Sequence, residues 1–195
     1  MFSFDAHRKQ LQRRKKEVLI NSINQQTGGY EVKALIAYYS DTGNTEKVAR
    51  AISDAVDFDK DVSKISDVTD WKGYDIIFFG FPVHAHSVPQ KAAQQIAKIP
   101  EGQKIVFFST HGSLRDGILP KQAFEHALGL AAKLKVLGHF GCRGKVTEQI
   151  IDALQKSPQH KAWAEEAAGA LRHPDENDLA DAKAFGTQMV AKIKA

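Results

Sequence analysis

The chain has 195 residues, 43% hydrophobic and 26% charged. That suits one ordinary α/β domain with some extra length and excludes a disordered, collagen-like or disulfide-stapled chain. The formal net charge is +4, and all of it sits in residues 1–30, where Arg8, Lys9, Arg13, Arg14, Lys15 and Lys16 oppose only Asp5 and Glu17.

Residues 31–195 are therefore charge-neutral and give no footprint for nucleic acid. No apolar run approaches the roughly 18 residues a membrane span needs, and no apolar segment follows the basic start, so neither a span nor a secretory leader is expected. The single cysteine, Cys142, cannot pair within the chain, which suits a reducing, cytoplasmic setting.

Taken in chain order, residues 1–30 read as a basic helical extension broken at Gly28-Gly29. Phe4, Leu11 and Val18 form a thin apolar seam that would pack on the body or on a second copy, giving a homodimer. From residue 31 onward strand and helix patterns alternate, which argues for a parallel sheet covered on both faces. Strands are expected at Ala34–Tyr39, 61–65, Asp75–Gly80, Ile105–Ser109 and Lys135–Phe140, the second being the poorest. Helices are expected at Thr45–Val56, Gln90–Ala97 and Lys121–Lys133, in one or two pieces across 146–172 broken near Pro158, and after Pro174 to Lys194. Asp175 or Asn177 would cap the last helix. Cys142 is expected just beyond the fifth strand as a buried, inert thiol.

In such doubly wound sheets a ligand lies beyond the carboxyl ends of the strands, where the strand order reverses. The loops after strands one, three and four should therefore converge, and they are the chemically richest in the chain. The first, Ser40-Asp41-Thr42-Gly43-Asn44-Thr45, follows a buried strand and opens a helix. A helix N-terminus offers unpaired N–H groups and the positive end of a dipole, and the loop adds hydroxyl and amide donors. It contains no Lys or Arg, which favours a terminal monophosphate over a triphosphate. It is neither a Walker A loop nor a dinucleotide Gly-x-Gly-x-x-Gly.

On these residues the chain resembles the flavodoxin family, whose FMN phosphate signature the Ser-x-Thr-Gly-Asn-Thr run is similar to. Gly73–Val83 resembles that family's third strand and ring loop, Ser109–Ser113 occupies the place of the second ring loop, and His173–Leu179 resembles flavodoxin-like proteins of anaerobic bacteria. The resemblance covers about 32–193 and implies a three-layer α/β/α fold with a five-stranded parallel sheet in the order 2-1-3-4-5. It implies that Ser40, Asp41, Thr42, Gly43, Asn44 and Thr45 hold the phosphate of FMN. Pro82, Val83, His84 and Ala85 would flank one side of the ring, and Thr110, His111, Gly112 and Ser113 the other. No catalytic residue and no metal is assigned. The function implied is electron transfer to a redox partner protein. The alternatives are an FMN-dependent oxidoreductase acting on a quinone or similar acceptor, and a non-redox interaction module.

Departures from the family pattern carry their own expectations. Neither ring loop offers a Tyr or Trp to stack on the flavin. The loop after Gly80 holds no further glycine, so a positive φ there would be costly and less available to support one-electron chemistry. His84, His86 and His111 fall in loops expected to meet, and Arg115 is expected to pair with Asp116.

Overall fold

The computed structural model describes residues 32–194; the basic extension 1–30 lies outside the described residues. Five strands are observed: β1 (Lys33–Tyr38), β2 (Asp59–Lys64), β3 (Ile76–Pro82), β4 (Lys104–His111) and β5 (Lys135–Arg143). They form one parallel sheet in the order β2-β1-β3-β4-β5. The helices are α1 (Asn44–Ala55), α2 (Gln90–Ile96), α3 (Ile118–Leu130), α4 (Glu148–Gln155), α5 (Lys161–Ala168) and α6 (Glu176–Lys194). None of the described helices is long and apolar enough to cross a membrane.

Successive side chains of a strand point to opposite faces, so each central strand feeds two cores. Ala34, Ile36, Tyr38, Phe78 and Phe108 pack on one face against Val48 and Ile52 of α1 and Met189 of α6. Leu35, Ala37, Phe79, Phe81 and Phe107 pack on the other against Ala92 and Ile96 of α2 and Ala127 of α3. In α1 the buried residues Thr45, Val48, Ala49 and Ile52 recur at helical spacing, which turns one stripe to the sheet. A third, small cluster of Ile151, Ala164 and Ala167 holds the α4–α5 hairpin together, with Val146 and Trp163 packed on it.

Two differences from the sequence expectation have clear physical causes. β2 runs from Asp59 rather than 61; as an edge strand it needs no continuous apolar run, and Val62 is exposed. β5 continues three residues past Phe140, and Cys142 lies inside it opposite Thr110 rather than beyond it. Its register slips between Ile105 and Val106, whose partners are Val136 and Gly138, so Leu137 is an extra residue. The bulge resets the alternation: Leu137, Phe140 and Cys142 join the α1–α6 face, while His139 turns to α3 and stacks on Phe124 with centroids 4.0 Å apart.

Helix α6 opens with a reciprocal cap. The Asp178 N–H donates to Asp175 Oδ1 at 2.9 Å and the Asp175 N–H donates to Asp178 Oδ2 at 3.0 Å. Asp175, rather than Asn177, is thus the cap. His173, Asp175 and Asp178 lie together as a cluster of metal-ligating types, but the cap and a 2.5 Å contact from His173 Nδ1 to Asp178 Oδ2 already account for it.

Candidate functional site

The loops after β1, β3 and β4 do converge. Thr42 and Asn44 from the first, Pro82, Val83, His84 and Ala85 from the second, and Thr110, His111 and Gly112 from the third line one cavity of about 330 Å³. Ser40, Asp41, Gly43, Thr45 and Ser113 stand behind or beside it rather than on its wall.

Gly43 has φ +84°, a left-handed conformation that turns the chain from β1 into α1. A Cβ there would meet nothing within 4 Å, so the conformation, and not a close approach, requires glycine. No side chain caps α1, so its first-turn N–H groups face the loop without a side-chain acceptor. Ser40 Oγ is buried with no hydrogen-bond partner among the described residues. The Thr42 hydroxyl accepts from Asn44 and keeps its own hydrogen to donate, whereas Asn44 and Thr45 are committed. Asn44 Nδ2 donates to Thr42 Oγ1 at 3.0 Å and to the Lys145 carbonyl at 2.9 Å, which ties the first loop to the end of β5. Thr45 is buried, its hydroxyl 2.9 Å from that of Thr110. Thr45 therefore braces the first loop against the third.

The second loop adopts positive φ without glycine, at the cost expected of it. Ala85 (φ 44°) and His86 (φ 63°) are both left-handed, and His84 and Ser87 exchange backbone hydrogen bonds of 3.1 and 2.9 Å. Two central residues at positive φ are the mark of a type I′ turn, normally built from Asn and Gly. Each non-glycine residue held this way stores about 1–3 kcal/mol, which the surrounding structure must sustain. The turn directs His84 back toward the first loop. Its Nε2 lies 3.6 Å from Asp41 Oδ2, and its ring meets Tyr39 edge-on with centroids 6.2 Å apart.

The three histidines do not act as a set. His84 is half exposed beside Asp41, and His86 is exposed at the tip of the turn. His111 is buried, its Nδ1 donating to the Ser113 carbonyl at 2.9 Å. Burial pushes the His111 pKa down, so it is held neutral. His139 behind it, next to Ser109 Oγ at 3.3 Å, is pushed down to about 4 by burial and then by His111. Burial likewise pushes the Cys142 thiol up to about 12, consistent with an inert core residue. Arg115 pairs with Asp181 of α6 at 2.5 Å rather than with Asp116.

A stability test follows for His139. The unfolded imidazole titrates near pH 6.5 and the folded one near 4, so between these values the unfolded chain binds more protons. Stability should be complete above about pH 6.5 and fall progressively toward pH 4, by an amount on the order of 3 kcal/mol. Urea midpoints measured from pH 7 to pH 4.5 should show this decline, and His139→Phe, which preserves the stack on Phe124, should reduce it.

The remaining wall came from a part of the sequence not linked to the site. Gly144, Lys145, Val146, Thr147 and Ile150 line the cavity from the end of β5 and the start of α4, and Trp163 lines it from α5. Trp163 Nε1 donates to Ser113 Oγ at 3.0 Å, Arg143 Nη2 donates to the Glu166 carbonyl at 2.6 Å, and the Leu114 N–H donates to the Glu166 carboxylate. The α4–α5 hairpin is thereby fastened to the third loop and supplies the aromatic side chain that the ring loops lack.

Residues 35–187 match the flavodoxin domain family. The chain is 28% identical over 173 residues to the flavodoxin-like domain-containing protein BilS of Clostridioides difficile, covering 83% of this chain and 98% of that protein. It is 30% identical over 175 residues to an uncharacterized protein of Methanocaldococcus jannaschii, covering 82% of this chain and 99% of that one. The solved structure of a flavodoxin from the domain Archaea shares the fold with a TM-score of 0.56 at 18% identity, covering 84% of this chain and all of that one (100%). A match of that extent, on a sheet of that strand order, makes the chain a member of the flavodoxin domain family.

Proposed function

We propose that the chain binds FMN in the cavity beyond β1, β3 and β4 and serves as an electron carrier to a redox partner protein. The observation that carries this reading is the uncapped N-terminus of α1, where Thr42 and Asn44 line a cavity bounded by two ring loops; the buried, unpartnered Ser40 hydroxyl lies two residues before Thr42 in the same loop, off the cavity wall. Donors without acceptors at such a place fit a phosphate. Ser40, Thr42 and the first-turn N–H groups of α1 would hold it, with Gly43 setting the turn and Asn44 and Thr45 bracing the loop. Pro82, Val83, His84 and Ala85 would bound one side of the ring and Thr110, His111 and Gly112 the other, Trp163 closing the wall. Bound FMN would supply one- and two-electron redox chemistry, which no side chain here offers.

The protein's own contribution is binding, orientation and access. The neutral His111 keeps a charge out of the third loop, and the strained Ala85–His86 turn fixes the second. The neutral body gives little long-range steering, so a partner would be recognised at short range, near the exposed Leu114 and Ile150 by the cavity.

The test is the visible spectrum of the purified chain after FMN addition and removal of the excess. Retained flavin bands with quenched fluorescence are expected, and Ser40→Ala combined with Thr42→Ala should weaken FMN binding by about tenfold or more, as loss of hydrogen bonds to a charged group implies. A colourless wild-type chain would refute the reading.

A further inference from the structure

A second cavity, of about 320 Å³, lies among the ends of β1 and β2 and helix α2 and shares no lining residue with the one assigned to FMN. The end of β1 contributes Tyr39 and Ser40, the end of β2 contributes Lys64 and Ser66, and α2 contributes Lys91 and Gln95. Its charge is of one sign: two lysines and no acid line it. The acids that approach are already engaged, since Asp67 accepts the Ser66 hydroxyl at 2.8 Å and Glu46 is held by Arg50 at 2.6 Å. Lys91 rests its ammonium 5.9 Å from the Tyr39 ring centroid, and neither lysine has an ion-pair partner among the described residues. Gln95 Oε1 is buried without a hydrogen-bond partner among the described residues. An acceptor left so carries its desolvation cost unless something donates to it.

We propose that this cavity binds a second small molecule, a hydroxyl-bearing organic phosphate such as a sugar phosphate or the ribose phosphate of a nucleotide. Two ammonium groups from separate elements match the near-double charge of a phosphomonoester, whereas one carboxylate would leave a lysine uncompensated. Gln95 Oε1 needs a donor, which an ionised phosphate group does not offer and a sugar hydroxyl does. The volume exceeds that of a bare phosphate and lies at the small end of the range for ligand pockets. Ser40 lines this cavity and belongs to the loop that would hold the FMN phosphate, so the two sites adjoin at that loop. Tyr39 joins the sites physically: its ring lines this cavity and meets His84 of the other.

The experiment is calorimetric titration of the chain, loaded with FMN and freed of excess, with ribose 5-phosphate, adenosine 2′,5′-bisphosphate and inorganic phosphate. One equivalent of at least one organic phosphate should bind, and inorganic phosphate should bind at least tenfold more weakly. Lys64→Ala with Lys91→Ala should weaken the organic phosphate at least tenfold without changing the flavin absorption. Gln95→Leu should weaken the organic phosphate and leave inorganic phosphate unaffected. The two organic probes identify the source, since a preference for the bisphosphate indicates a nucleotide and equal binding a sugar phosphate. No binding of either organic probe, binding undiminished in the double lysine variant, or inorganic phosphate binding as tightly as the others would overturn the proposal. Failure of the FMN reading would show separately, as missing flavin bands before any titration, and the same titrations then apply to the flavin-free chain.

Discussion

Trp163→Ala should weaken FMN binding by roughly 30- to 150-fold, corresponding to about 2–3 kcal/mol, while the five-stranded sheet stays folded. The indole is the large aromatic side chain on the cavity wall, and its area and ring face are what a flavin-sized aromatic would lose. It also closes the third loop from outside through the 3.0 Å bond from Nε1 to Ser113 Oγ. Truncation would therefore open the wall and release Ser113, whose carbonyl holds His111 Nδ1. Because Trp163 packs on the small α4–α5 cluster and not on either face of the sheet, the damage should remain local. Trp163→Phe keeps a ring but not the N–H, and should retain most of the affinity. Fluorescence titration with FMN gives the affinities, and far-ultraviolet circular dichroism with thermal melts separates them from unfolding. If Trp163→Ala bound FMN like the wild type, the α4–α5 hairpin would not be part of the ring site.

The uneven visibility of this site in the sequence has physical causes. β1, β3 and β4 are buried on both faces, so they appear as continuous apolar runs, and the hydroxyl-rich loop after β1 is a local pattern ending at a helix start. The strand order followed from the family resemblance and agrees with the observed pairing. The backbone of the second loop is not readable from sequence, because Ala85 and His86 offer no glycine or asparagine to announce a positive φ; the bonds that close the turn are the backbone pair between His84 and Ser87 and the contact of Ser87 Oγ with His126 Nδ1. The β5 bulge at Leu137 was equally silent, since register depends on the neighbouring strand. Trp163 lies some fifty residues beyond the loop it contacts. Periodicity identifies its helix but cannot say what that helix covers. The missing aromatic in the ring loops was the available clue that another element completes the wall.

Gly80→Ala should destabilise the chain by about 3 kcal/mol or more and lower the melting temperature by about 6–12 °C. The sign is informative, because alanine in place of a strand glycine would ordinarily gain about 0.5–1 kcal/mol from the unfolded state. Here a Cβ would stand 2.1 Å from Cε2 and 2.2 Å from Cζ of Phe108, and 2.9 Å from its Cδ2. Phe108 is opposite Gly80 across the β3–β4 pairing and fully buried in the α1–α6 core, so its ring has nowhere to turn. The backbone cannot yield cheaply either, since the Gly80 carbonyl accepts the Tyr39 N–H at 2.9 Å, at the root of the first loop. Any shift of Gly80 would move Pro82 and Val83, two and three residues on, and with them one wall of the cavity. The variant should therefore lose FMN affinity along with stability, even though Gly80 does not line the site. Phe108→Leu removes the clashing ring atoms, so the double variant should be more stable than the sum of the two single costs requires. A coupling of 1 kcal/mol or more in that cycle is the expected result, read from urea midpoints. Additive costs would mean that Phe108 is not what requires glycine at position 80.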